Sequence, residues 1–175
     1  MTGEQNVTRA DGKGMPRIVA GVHGTAASEA ALDWAAREAR LRRAQLHLVL
    51  ARDPGASSRA PYAHPAAPAP GDVDAVRLAR AGVRASRMLP QGRVITELAD
   101  GLPARVLADR AAGASLLVLG AAPAGFLGPV ARACLLRAPC PVVIVVPDSR
   151  HAAAALNPRP PGSPGRGMLS LSRPG

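Results

Sequence analysis

The chain has 175 residues, enough for about one domain of common size plus extensions. Its formal charge of +10 comes from 22 basic residues, all arginine except Lys13, against 12 acidic ones. Apolar residues make up 47% of the sequence, yet Trp34, Tyr62 and Phe126 are its only aromatic side chains. This composition calls for an aliphatic core of Val- and Leu-rich strands under Ala-rich helices rather than a β-sandwich, and leaves few rings on which bases could stack.

Residues 1–15 are polar and contain glycine, so they are expected to form a disordered extension. They lack an apolar stretch of signal-peptide length, and no run reaches the ~18 apolar residues of a membrane span, so the expected location is cytoplasmic. Arg17 to Val22 reads as a short strand. Thr25 or Ser28 is placed to cap the helix that follows, which carries Ala31, Leu32, Ala35, Ala39 and Leu41 on one face, with Trp34 at its edge. Arg37, Arg40, Arg42 and Arg43 crowd the end of that helix, where cations complement the macrodipole. This placement, with four more arginines near the C-terminus, argues against a specific nucleic-acid surface despite the net charge.

Gln45 to Ala51 is a second strand. Residues 53–71 contain Pro54, Pro61, Pro65, Pro68 and Pro70, a density that excludes helix and interior strand and marks an internal loop. A helix is expected from Val73 to Leu89, a strand from Arg93 to Leu98, and a turn at Asp100-Gly101-Leu102-Pro103 that leads into a helix through Val106, Leu107 and Ala111. Ser115 to Gly120 and Val142 to Val146 are continuously apolar, as strands covered on both faces should be. Between them a last helix runs from Pro129 to Arg137, closed by Ala138-Pro139. Residues 148–175, rich in Pro, Gly, Ser and Arg, are expected to be a second disordered segment.

Five strands separated by four helices, joined by right-handed crossovers, give an α/β fold. It is an open, doubly wound five-stranded parallel sheet with helices on both faces, Rossmann-like in plan, over residues 16–147. Ligand crevices in such sheets lie beyond the carboxyl ends of the strands, which directs attention to the segments after Val22, Ala51 and Gly120. Cys134 and Cys140 match neither a redox pair nor a zinc knuckle and read as buried, inert thiols. No Walker sequence or nucleophile elbow is present. Asp100 reads as a turn cap and Asp109 as a solvated helix residue, while His47 reads as structural. Nothing in this pattern points to an enzyme.

The blocks IVAGVHGTAASEAALDWAAREA, from Ile18 to Ala39, and LGPVARACLLRAPCPVVIVV, from Leu127 to Val146, with Asp100-Gly101-Leu102-Pro103-Ala104 and LLVLG between them, closely resemble the universal stress protein family. The resemblance implies a regulatory or binding protein of the stress response, a homodimer formed through the last strand, and ATP or another nucleotide as ligand. Its implied site comprises Gly21, Val22, His23, Ala51, Gly120, Gly125, Gly128, Pro129 and Val130.

Members that bind ATP share Gly-x-x-Gly followed nine residues later by Gly-Ser or Gly-Thr, a loop whose backbone N–H groups and hydroxyl face the phosphates. Here Gly120 matches the first glycine, but Pro123 replaces the second and Gly128-Pro129 replaces the Gly-Ser element. Only the seven residues Ala121 to Leu127 separate Gly120 from Gly128, about five short of the motif. Gly125 is the one residue placed to substitute, and His23 stands where the family's first turn has an acid. The expectation is weak or no ATP binding. The alternative is a nucleotide switch with an altered phosphate loop.

Overall fold

The computed structural model describes residues 14–53, 70–121 and 126–147, with backbone alone for 70–72. In chain order the elements are β1 (Arg17–Gly21), α1 (Ala26–Leu41), β2 (Gln45–Arg52), α2 (Pro70–Ser86), β3 (Val94–Asp100), α3 (Pro103–Arg110), β4 (Leu116–Gly120), α4 (Pro129–Arg137) and β5 (Val142–Val145). The strands form one five-stranded sheet in the order β3-β2-β1-β4-β5. All four pairings are parallel, in registers that include Leu46↔Val94, Ile18↔Leu46, Ile18↔Leu116 and Leu117↔Val142. This is the doubly wound plan expected from the sequence. Strand order reverses between β1 and β4, so the crevice at their carboxyl ends is where such sheets bind ligands.

Strand alternation sorts the core into two layers. Ile18, Ala20, Leu46, Leu48, Leu50 and Val118 face α1 and α2, while Val19, Val49, Leu117 and Leu119 face α3 and α4. Helix α1 meets the sheet almost entirely through alanine: Ala31, Ala35, Ala36 and Ala39 are fully buried, and the absence of bulk lets its axis lie close to the strands. Helix α2 also rides close, since a Cβ added at Gly82 would come within 2.9 Å of Thr96 Cγ2.

Five expectations about the elements need correction. Leu41 is 78% exposed rather than buried, because at 100° per residue it lies opposite Ala39, and the chain then leaves the helix through Arg43 at φ 53°. Helix α2 begins at Pro70, inside the stretch read as loop; proline is tolerated in a first turn, where its missing N–H has no intrahelical partner to lose. The same helix ends at Ser86, although Leu89 beyond it is still buried.

Asp100 does not cap a turn. It ends β3 and accepts from Arg52 Nε at 2.7 Å, and α3 starts from Leu102 without a side-chain cap. Strand β5 is half-buried throughout rather than covered on both faces, because it is the sheet edge. Of the disordered segments expected over 1–15 and 148–175 and the internal loop expected over 53–71, residues 1–13, 148–175 and 54–69 lie outside the described residues.

Candidate functional site

The turn after β1 is fixed by local hydroxyl chemistry. Thr25 Oγ1 accepts from Ser28 N at 3.2 Å, Ser28 Oγ accepts from Thr25 N at 3.1 Å and His23 N at 3.3 Å, and Ser28 Oγ donates to the Thr25 carbonyl at 3.0 Å. This is a capping box with Ser28 in the third helical position; it saturates the Ser28 hydroxyl, while Thr25 Oγ1 accepts one bond and keeps its proton to donate. Neighbouring strand ends are pinned as well: Val22 N donates to Val49 O at 2.9 Å, and Ala121 N to Val145 O at 2.8 Å.

Against this frame the N-terminus of α1 reaches the end of β4. A Cβ added at Gly120 would lie 2.4 Å from both the carbonyl carbon and oxygen of Ala27. Glycine is therefore required at 120 by helix-to-strand contact alone, without any ligand.

Beyond the carboxyl ends of β1, β2 and β4 lies a cavity of about 690 Å³. Eight of the nine residues singled out in the sequence line it: Gly21, Val22, His23, Ala51, Gly120, Gly128, Pro129 and Val130. Gly125 lies outside the described residues, as does Pro123. The sequence reading missed Ala26 and Ala27 at the start of α1, Pro103 and Leu107 of α3, and Pro147 after β5. Pro103 had a visible signal in the Asp-Gly-Leu-Pro turn; Leu107 had none beyond its place on the buried face of α3.

The lining contains no Lys, Arg, Asp or Glu among the described residues. Its polar side chains are His23, Thr25 and Ser28, of which the capping box saturates the Ser28 hydroxyl. Helix α4 opens onto the cavity from Gly128 as N-cap, at φ −65° and ψ 166°, with no side-chain cap and with Pro129 in its first turn. Pro129 offers neither N–H nor hydroxyl there.

Basic charge collects next to it. Arg77, Arg80, Arg84 and Arg87 line an adjoining groove of about 710 Å³ between α1 and α2, which shares Val22 and Ser28 with the cavity, and in which Arg84 donates to both carboxylate oxygens of Asp33 at 2.6 and 2.7 Å. The Asp33 hydrogen bond, followed by the charges of Asp33 and Glu29, raises the Arg84 pKa.

Two other sets of titratable groups are structural. On the α3 side of the sheet, His47 Nε2 donates to Glu97 Oε2 at 2.9 Å, and Glu97 is gripped by Arg110 Nε at 2.8 and 3.0 Å. Burial lowers the His47 pKa, and Arg17 and Arg110 add to that, outweighing the pull of Glu97. His47 is therefore a neutral donor near pH 7. The hydrogen bond from Arg110 holds Glu97 below the ordinary carboxylate range. Burial raises both thiols; Cys134 is fully buried, whereas Cys140 is partly exposed, contrary to the expectation that both are buried. Among the described residues no cluster of His, Cys, Asp or Glu is suited to a metal ion, and no helix is long and apolar enough to cross a membrane.

Residues 15–146 match the sequence profile of the Universal stress protein family. A universal stress protein of Mycobacterium tuberculosis is 30% identical over 154 residues, covering 77% of this chain and 51% of that protein. The chain thus spans about half the length of the curated relatives it matches. Among solved structures, a universal stress protein in complex with cAMP superposes with a TM-score of 0.59 at 23% identity, over 78% of this chain and all of the other. A universal stress protein family protein of Arabidopsis thaliana with AMP bound gives 0.56 at 17% identity, over 77% and 94% of the two chains. At these identities the two structures bear on the fold.

Proposed function

The chain belongs to the universal stress protein family, and from that premise we propose that it is a non-catalytic regulatory or binding protein of the stress response whose cavity takes ATP weakly or not at all. The observation that carries this reading is the first turn of α4. Where a phosphate-binding helix would present a hydroxyl and a full set of N–H groups, this one presents Gly128 and Pro129, and no cation lines the cavity among the described residues. In sequence, Pro123 and the short Ala121–Leu127 connection point the same way. Among the described residues no carboxylate lines the cavity and the His23 ring is not hydrogen-bonded to the Thr25 or Ser28 hydroxyl, which supports a binding role over catalysis.

The alternative, an ATP-binding nucleotide switch, draws support from the cAMP and AMP complexes of structural relatives. A thermal-shift titration with ATP and Mg²⁺ separates the two. A ligand at a hundred times its dissociation constant raises stability by about 2.7 kcal/mol, so a binder in the micromolar range would shift the melting temperature clearly at millimolar ATP. The proposal expects no shift in the native protein. It expects a shift in a variant carrying Pro123→Gly, Pro129→Ser and five residues inserted before Gly128, about the length missing from the loop.

We also propose a homodimer through β5 in a cytoplasmic protein, with residues 16–147 as the folded unit. Support for the dimer comes from the position of β5 at the sheet edge and the partial exposure of all four of its residues.

A further inference from the structure

We propose that the cavity at the ends of β1, β2 and β4 binds an uncharged, largely apolar small molecule. The inference rests on the reading that this cavity is the protein's ligand site, and it names the class of ligand. Three observations carry it.

First, the volume of about 690 Å³ is that of a small-molecule site, and its walls are supplied by Val22, Val49, Leu107, Leu119 and Val130 together with alanine, glycine and proline. A ligand that fills such a space gains most by bringing apolar surface out of water. Second, the lining has no charged side chain among the described residues, in a chain with 22 basic ones. The four residues that follow Ala121, Ala-Pro-Ala-Gly, add neither charge nor hydroxyl whatever their placement. Among the described residues no lining cation compensates a multiply charged ligand leaving water, a cost that apolar contacts do not offset. Third, the Ser28 hydroxyl is saturated within the turn before α1, and Thr25 Oγ1 there accepts from Ser28 N. His23 and the Thr25 hydroxyl, both exposed at the rim, are the lining side-chain groups left to meet a polar group of the ligand. The favoured ligand therefore has an apolar body with one or two hydrogen-bonding groups and no net charge.

The test uses the full chain and the neutral fluorophore N-phenyl-1-naphthylamine, read by its emission on leaving water, beside a calorimetric titration with ATP and Mg²⁺. The expected result is saturable binding of one fluorophore per chain that millimolar ATP does not displace. Val130→Glu places a carboxylate in the cavity wall, at a helix first turn where negative charge is tolerated, so the fold should survive. It should weaken fluorophore binding by about tenfold or more, with an unchanged melting temperature. Ala51→Met, which narrows the cavity without adding charge, should also weaken it and serves if Val130→Glu does not fold.

Absence of saturable fluorophore binding overturns the inference, and if ATP is also silent the proposed function stands. Fluorophore binding that neither variant weakens places the probe elsewhere and likewise overturns the inference. Heat evolved on ATP binding is the separate result that counts against the proposed function.

Discussion

Replacing Gly120 with alanine separates a packing role for this glycine from a ligand-binding role. The added methyl would lie 2.4 Å from the Ala27 carbonyl carbon and oxygen and 2.9 Å from its Cβ. Ordinary contacts begin near 3.5 Å, so the first turn of α1 or the end of β4 must move by about 1 Å. Neither is free to do so: α1 is held by the Thr25–Ser28 capping box, and β4 is paired with β1 and β5. Overpacking of this kind costs about 1–3 kcal/mol. At roughly 4 °C per kcal/mol for a domain of this size, Gly120→Ala should melt about 4–12 °C below the native protein. Calorimetry without ligand is the assay. Melting within about a degree of the native protein, as its measurement error allows, would refute the packing argument and return Gly120 to a purely ligand-binding role.

Stability should fall on acidification below about pH 6.5, the ordinary histidine value. The lowered pKa of His47 means that the unfolded chain takes up its proton first, so its contribution is full above that pH and is lost as pH falls through the folded value. Glu97, also lowered, adds a second loss as pH falls below the ordinary carboxylate range; His47→Gln should flatten the first part of the profile in denaturant titrations and leave the second. Cys140 should react with a thiol reagent slowly at neutral pH and Cys134 only on unfolding, as a stopped-flow comparison with and without denaturant would show. Ile144→Lys puts a charge on the edge strand and should shift sedimentation from dimer to monomer; a native protein that sediments as monomer at tens of micromolar, an order-of-magnitude choice for a modest interface, removes the dimer.

The sheet and its helices were legible because each apolar run has one period. Alternation broke down only where position in the sheet, rather than residue type, decides burial. Val142 to Val145 are as apolar as Leu116 to Leu119, but β5 is an edge and β4 is interior, and no local pattern distinguishes them. Leu41 falls outside the buried stripe because it lies two residues, about 200°, beyond the fully buried Ala39. Pro70 opens α2 from within a proline-dense stretch, because proline density marks loops on average while a single proline can open a helix. At the cavity, the ends of β1, β2 and β4 followed from the rule for doubly wound sheets. The second reason for Gly120 did not, since its neighbour Ala27 lies 93 positions earlier in the chain and the contact exists only once α1 has docked.

The measurement closest to the central claim is what the cavity holds when the protein is purified from its own cells under native conditions. Heat-denatured extracts would be analysed by mass spectrometry and quantified against protein. The account predicts adenine nucleotide far below one equivalent per chain. ATP recovered at about one per chain, the stoichiometry of a single tight site, would contradict it.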